Sequence, residues 1–509
     1  MMTKPASTGV MSGPRLLVSA IALALSNFMV VLDTTVANVS LPHIAGGLAV
    51  SSTQATWIIT SYSVAEAVCV PLTGFLSGRF GAVRTFIFGM IGFALFSLLC
   101  GMSNSLGMLV ACRLGQGFCG GPLMPLTQTL MLRIFPKEKQ GAAMGIWAMT
   151  TVTAPIMGPI LGGVLSDDWS WHWIFFINLP VAAFCIAASS RFLRAVETAT
   201  TKPRIDRVGL VLMVIWIAAL QIMLDLGHDR DWFNNNLIMA LAIIAVVGFA
   251  FFIAWEFTES QPAVDIRVFR HRGFTVSVLA LAFAFGTYFT SVVIIPQWLQ
   301  SDLGYTAAWA GYATALTGVS AVVASPVVAR LSTRVDKRYL VCFGITWLGL
   351  STLLRVYWTS DADFWSLALP QLIQGIGMPF FFIPVTTLGL SAVEPRETAS
   401  AAGLMSFLRT MSAAIGTSAA TTAWDDDTRV ARSQLVSTLH TDAVQTSLAD
   451  QGFALGSIRG VIEQLVNKEA MTIATNHIFL VSAFIFFGSA AIIWLAPKPS
   501  LKIEAGAAH

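Results

Sequence analysis

Residues 71–89 read PLTGFLSGRFGAVRTFIFG, and residues 326–344 read PVVARLSTRVDKRYLVCFG. Laid on each other, Leu76 meets Leu331, Ser77 meets Ser332, Arg79 meets Arg334, and Phe88–Gly89 meet Phe343–Gly344, at a spacing of about 255 residues. At a nearly equal offset Gln116–Gly117 meet Gln374–Gly375, Gly145 meets Gly403, and Gly158 meets Gly416. Four matched segments in the same order mean that the chain is built from two related halves, and a repeat of this length constrains the architecture before any single motif does.

What is repeated is apolar. Of the 509 residues 55% are hydrophobic and 11% charged, and the mean hydropathy is +0.72, far outside the range of soluble domains. A helix needs about 20 apolar residues to cross a hydrocarbon core. About fourteen such runs can be marked, near 16–40, 53–76, 85–103, 106–132, 142–165, 172–192, 208–226, 236–257, 274–300, 308–331, 339–357, 364–390, 399–423 and 475–496. The first is too long for the apolar part of a signal peptide and reads as a retained helix. Lys and Arg in the connections set orientation. Arg79 and Arg84, then Arg133, Lys137 and Lys139, then Arg191, Arg194, Lys202, Arg204 and Arg207 fall on one side. Arg267, Arg270 and Arg272, then Arg330, Arg334, Lys337 and Arg338, and finally Lys498 and Lys502 join them, while 41–55, 103–107, 166–171 and 301–306 carry neither residue. The expectation is an all-α membrane protein of 14 transmembrane helices with both termini cytoplasmic. It divides into a six-helix bundle over 1–195, two additional helices over 205–260, and a second six-helix bundle over 265–509. Repeated halves with a site between them are the architecture of alternating-access transporters. The net charge of +3 resides in the basic loops and calls for no nucleic-acid partner, and the six cysteines lie in apolar runs as packing residues, framing neither a disulfide set nor a metal site.

Ionisable residues within such runs are costly unless they face water or a counter-charge. By helical rise, Asp33 sits in the outer third of the first helix and Arg113 at a similar level of the fourth, so the two can meet. Glu66 falls near or below the midplane of the second helix, and Arg409 near the midplane of the thirteenth. In the repeat Asp33 faces Thr287 and Arg113 faces Gln371, so the charges of those helices belong to the first half, with Arg409 the exception. A carboxylate beside an arginine binds or releases a proton when access alters either its hydration or its pairing, which is what proton coupling requires. The alternatives are that Asp33 caps a helix break or serves the hydroxyls of Thr34 and Thr35, and that Arg113 snorkels to the external interface. For Glu66 a proton- or cation-recognising carboxylate and a group satisfied by polar neighbours both remain open. Gln116 shares the helical face of Arg113. APIMGPILGG, 154–163, sets Gly158 and Gly162 one turn apart, with Pro155 and Pro159 interrupting the backbone ladder, a pattern that allows close helix approach and a bend.

Together these stretches resemble the major facilitator superfamily, and within it the fourteen-helix drug:proton antiporters. LDTTVANVSLP, 32–42, is similar to that group's first-helix motif, RLGQG from Arg113 to its fourth-helix motif, and GPILGG from Gly158 to its antiporter motif on the fifth helix. GFLSGRFGAVR from Gly74 resembles the loop motif of the whole superfamily, which expects an acid where Gly78 stands; WIFFINLP, 173–180, and LQIMLDLGHDRDWF, 220–233, extend the likeness. The resemblance implies a major facilitator fold that exports hydrophobic drugs and toxicants in exchange for protons, with no other cofactor. By it, Asp33 and Arg113, with Glu66 beside them, carry coupling, and Gly158, Pro159, Gly162 and Gly163, with Gly74 and Arg79 of the loop motif, carry the conformational change. It also implies a bacterial inner-membrane pump whose partners are a periplasmic membrane-fusion adaptor and an outer-membrane channel. Broad specificity needs a cavity with aromatic and flexible walls. Tyr62, Glu66, Gln116, Trp147, Met149, Phe380, Phe381 and Arg409 are candidates for it, against the plainer reading of core or lipid-facing packing.

The segment 424–476 is expected as a long external loop, with a short amphipathic helix over 456–470 that docks the adaptor, lies on the membrane or covers the pump's mouth, and with the acids 425–427 in a solvated turn. A dedicated exporter of one metabolite is the competing reading on the same fold. A membrane-embedded enzyme or receptor is the reading from another class, and the sequence has no P-loop, no HExxH and no G-x-S-x-G elbow to support it.

Overall fold

A computed structural model describes residues 11–498 apart from 137–138, 201–205, 260–261, 263, 395–396 and 439–454. Helix occupies every one of the fourteen apolar runs. The first half contributes α1 (Gly13–Val39), α2 (Trp57–Cys69), α3 (Thr73–Phe80), α4 (Ala82–Gly101), α5 (Leu106–Gly120), α6 (Leu123–Ile134), α7 (Gln140–Val164) and α8 (Asn178–Phe192). Next come α9 (Arg207–Gly227) and α10 (Asn236–Thr258), then α11 (Arg272–Ser301), α12 (Ala307–Leu331), α13 (Lys337–Leu353), α14 (Phe364–Ser391), α15 (Thr398–Thr438) and α16 (Leu455–Ile492). Among the described residues, nine helical stretches are long and apolar enough to cross a membrane alone; α2 and α3, taken as one span bent by 59°, make a tenth. The bend falls at Pro71, whose ring and missing N–H interrupt the hydrogen-bond ladder. The protein is therefore a multi-pass membrane protein.

Helix starts follow side-chain chemistry. Asp206 accepts from the Gly209 amide at 2.9 Å to cap α9, and Asp336 accepts from the Arg338 amide at 3.0 Å to cap α13. The start of α4, where the family's loop motif expects an acid at Gly78, is served instead by Glu197 from beyond α8. Its carboxylate accepts from the amides of Val83 at 2.9 Å and Arg84 at 3.0 Å. Gly81, at φ +94°, permits this, because a Cβ there would sit 2.5 Å from the Glu197 carboxylate.

In the packing, α7 lies against α1 and α12, α14 against α12 and α13, α15 against α11 and α16, and the α9–α10 pair against α2. At the ends bearing the basic loops the two repeats touch. A Cβ on Gly141 would lie 2.8 Å from Ser332 Oγ, and Gly403 packs 3.1 Å from the Val70 carbonyl oxygen and 3.4 Å from Thr73 Cβ by the same measure.

The expected loop at 424–476 is not one over most of its length. α15 runs on through 424–438 and α16 begins at 455, so both are single helices of 41 and 38 residues. Residues 439–454 lie outside the described residues. No Gly or Pro interrupts the chain between Gly416 and Gly452, so nothing stops the helix where apolar sequence gives way to polar. The hairpin is joined by Trp424, buried and donating to Thr475 Oγ1 at 2.9 Å, and farther out by an Arg432–Glu463 pair at 3.0 Å. The expected acidic turn is helical too, and its acids diverge: Asp425 faces His228 at 2.7 Å, Asp426 faces Arg429 at 3.3 Å, and Asp427 faces His477 at 3.8 Å.

Candidate functional site

Asp33 lies within an unbroken stretch of α1, so it caps no break. The hydroxyls of Thr34 and Thr35 bond to carbonyls of their own helix, at 2.8 Å to Val31 and 2.9 Å to Leu32, and leave its carboxylate to other partners. Arg113 of α5 donates to Asp33 Oδ2 at 2.6 Å and to Gln116 Oε1 at 2.8 Å. Gln116, one turn along the same face, donates to Asp33 Oδ1 at 3.0 Å, and Asn178 at the start of α8 donates to that oxygen at 2.7 Å. Asn178 is itself anchored on Ser97 of α4 at 3.0 Å. Relative exposure is 3% for Asp33 and 1% for Arg113, which excludes a snorkelling arginine.

The guanidinium is sandwiched as well as paired. Its carbon lies 4.1 Å from the Tyr62 ring centre and 5.7 Å from that of Phe175, and its Nε donates to the Ile58 carbonyl at 3.3 Å. Tyr62 thus belongs to the Asp33–Arg113 cluster. A bidentate arrangement of Arg and Gln against one carboxylate, sealed by aromatic rings, makes each hydrogen bond strong and each disruption costly. Every member sits on a different element from Asp33, so a displacement of α1 against α5 or α8 changes the carboxylate's surroundings at once.

The glycines reach the same place. A Cβ on Gly158 of α7 would overlap Thr35, and one on Gly162 would lie 3.1 Å from the Val36 carbonyl oxygen and 3.3 Å from Ser40 Oγ. These small residues let α7 ride directly on the stretch of α1 that carries Asp33. Gly163 has open space around it, and the side chain of Pro159 lies outside the described residues. Gly74 faces elsewhere, 2.8 Å by the same measure from Ser400 of the other repeat, and Arg79 lies 5.8 Å over the neighbouring Phe80 ring.

A second charged centre lies where the repeats meet. Arg409 of α15 is 4% exposed, and its guanidinium carbon lies 5.4 Å from the rings of Trp147 and Phe285 and 5.9 Å from Phe382. It donates to the sulfur of Met124. Trp147 stacks on Phe382 at 5.7 Å and 10°, joining α7 to α14. Glu66 is part-buried on α2, one turn beyond Tyr62, and feels the positive charges of both Arg409 and Arg113. Met149 lines a small void with Ala148, Ala321, Ser325, Met378 and Phe382. Phe380 instead packs on Phe343 of α13 at 5.0 Å, and Phe381 is fully buried, so the ring that faces Arg409 is their neighbour Phe382.

Sequence reasoning passed over Asn178, Phe382, Phe285 and a further buried arginine, Arg355, which is a second charge in the half expected to hold Arg409 alone. Only Arg355 carried a signal: it is an arginine inside the marked run 339–357.

A repeated, helical, multi-pass chain with a buried acid–arginine cluster in one half defines a membrane carrier. The chain belongs to the Major Facilitator Superfamily, whose sequence profile matches residues 23–417, and is a transporter, not an enzyme. It is 42% identical over 495 residues to the multidrug export protein EmrB of Escherichia coli K12, covering 96% of this chain and 97% of that one. It is 41% identical over 486 residues to the fatty acid resistance protein FarB of Neisseria gonorrhoeae, covering 94% and 96%. Among solved structures, the human organic anion transporter MFSD10 superposes with a TM-score of 0.57 at 15% identity, covering 93% of this chain and 100% of that one, a likeness of fold alone.

Proposed function

We propose that this protein is a proton-driven antiporter that exports hydrophobic and amphipathic drugs and toxicants across a bacterial inner membrane. The observation that carries the reading is the buried cluster in which Asp33 accepts from Arg113, Gln116 and Asn178. In this arrangement three donors converge on the carboxylate. Withdrawal of Arg113 or entry of water changes the balance between its charged and neutral forms, and α7, seated on α1 through Gly158 and Gly162, couples that change to helix movement. Exchange then follows: the conformation that releases cargo takes a proton onto Asp33, and return to the opposite side restores the ion pair and discharges it.

The reading includes fourteen spans, two six-helix bundles at 1–195 and 265–509 with the two added helices between them, and cytoplasmic termini on the side of the basic loops. Glu66 and the aromatic frame of Trp147, Phe285 and Phe382 form the cargo wall, the acid selecting lipophilic cations. The names of the relatives, multidrug export and fatty acid resistance, support amphipathic cargo. The α15–α16 hairpin is the surface for a periplasmic adaptor that continues to an outer-membrane channel. A dedicated exporter of one metabolite is the second reading; Arg409, framed by rings and without an ion pair among the described residues, favours an acidic cargo for it.

The test is accumulation of a lipophilic cation in everted vesicles under an imposed pH gradient. Uptake that requires the gradient and is lost in Asp33→Asn, with unchanged protein level, is expected. Uptake that persists after the gradient is collapsed would contradict proton exchange.

A further inference from the structure

The second repeat holds a cation that proton exchange at Asp33 does not use. Arg355 lies two residues beyond α13 and is 0% exposed. Its Nη2 donates to Gln371 Oε1 at 2.8 Å and to Gln374 Oε1 at 2.5 Å, both on α14, and Thr317 Oγ1 donates to the same Gln371 oxygen at 3.4 Å. Trp358 and Phe479 close over the guanidinium, with ring centres 5.9 and 5.6 Å from its carbon.

The repeat makes the contrast informative. At an offset of 258, Gln371 and Gln374 stand where Arg113 and Gln116 stand in the first half, and Asp33 meets Thr287 at an offset of 254 or Ser291 at 258, neither of them an acid. The second half therefore keeps an arginine and glutamines at the matching level and lacks the acid. Arg355 forms no ion pair among the described residues. Among the described residues, four buried donors there have no acceptor: Nε and Nη1 of Arg355, Nε2 of Gln371 and Nε2 of Gln374. Turning either amide would set N–H against N–H, since both amide oxygens already serve the guanidinium. An arginine does not shed its proton to escape this, and a buried cation with unmade hydrogen bonds is among the costliest arrangements a protein holds. A cluster that offers only donors and carries a net positive charge is complementary to an acceptor of charge −1.

We propose that Arg355, Gln371 and Gln374 form a binding site for a monovalent anion, supplied either as a free halide or as the carboxylate head of an amphipath. The site lies at the end of α13 away from the basic loops, beneath the connection 354–363, whose Tyr357 is exposed, so the anion enters from that face.

The test uses the full chain in detergent, with sodium sulfate holding ionic strength constant while chloride, bromide, decanoate or, as uncharged control, decanol is added. Wild type is expected to show a saturable rise in melting temperature of about 3 °C or more that is absent in Arg355→Gln. A response to chloride assigns the halide; a response to decanoate and not to decanol or chloride assigns the carboxylate. No saturable response to any anion, or an equal response in wild type and Arg355→Gln, overturns the site. Should Arg355→Gln fail to fold, Gln374→Leu keeps the arginine and is expected to bind about tenfold more weakly; unchanged affinity overturns the site. Where chloride responds, bromide provides a second readout of the halide assignment in unmodified protein: saturable quenching of tryptophan fluorescence that disappears in Trp358→Phe supports it, and quenching that rises linearly and equally in both contradicts it.

Discussion

Asp33 is fixed by three donors from two neighbouring helices. Asn178 is the member most open to testing, because it touches the carboxylate without bearing charge. Asn178→Leu removes the 2.7 Å bond to Asp33 and the 3.0 Å bond to Ser97, which should cost about 1–3 kcal/mol of stability and slow gradient-driven export at least tenfold. Thermal melting and vesicle uptake on the same preparation check both effects; export at the wild-type rate would place Asn178 outside the coupling machinery. At this scale the charged members were legible, as was Gln116 one turn from Arg113, and Asn178 was not. An Asp and an Arg within apolar runs declare a cost that a partner must offset, and their depths placed them at one level. Asn178 and Ser97 declare nothing, because polar neutral residues at helix ends are commonplace. Arg355 was passed over because an arginine near the end of an apolar run ordinarily reaches the interface, whereas here the loop folds over it.

The contact of α7 with α1 is the element through which Asp33 is joined to the rest of the molecule. Gly158→Ala puts a methyl into Thr35, an overpacking expected to cost about 1–3 kcal/mol and to depress export, and Thr35→Ala in the same chain should recover much of both. Melting temperatures of the two single variants and the double variant decide this; equal and additive losses would show that the two residues do not meet in function. On the hairpin, Trp424→Ala should destabilise by about 3–5 kcal/mol, whereas Arg432→Ala, which breaks an exposed pair, should change stability by less than about 1 kcal/mol. Thermal unfolding in detergent separates them, and the reverse order would mean that the outer pair, not the tryptophan, holds the hairpin. The hairpin was misread as a loop because polarity was taken as the end of a helix; beyond Gly416, α15 has polar sequence but no breaker, and it packs on α16.

Across the whole molecule, the repeats touch at the ends bearing the basic loops, and a carrier that loads from that side must part them. Gly403→Cys with Thr73→Cys, in a background without the six native cysteines, places two thiols on carbons 3.4 Å apart across this contact. Oxidation should arrest export at least tenfold and reduction should restore it; export at full rate with the disulfide closed would show that these ends stay together through the cycle. The apolar runs made the helical, multi-pass plan legible because their lengths follow from bilayer thickness. Closure across the centre by Trp147, Phe285 and Phe382 around Arg409 was not, because rings in apolar helices look alike until packing selects which of them face inward. The measurement that tests the central claim most directly is proton release from purified, detergent-solubilised protein when a lipophilic cationic drug is added, comparing wild type with Asp33→Asn and Glu66→Gln. Release in wild type, reached in Glu66→Gln only at higher drug concentration and absent in Asp33→Asn at any, is the expected result; release unchanged in Asp33→Asn, with drug binding demonstrated, would contradict the assignment of the exchanging proton to Asp33.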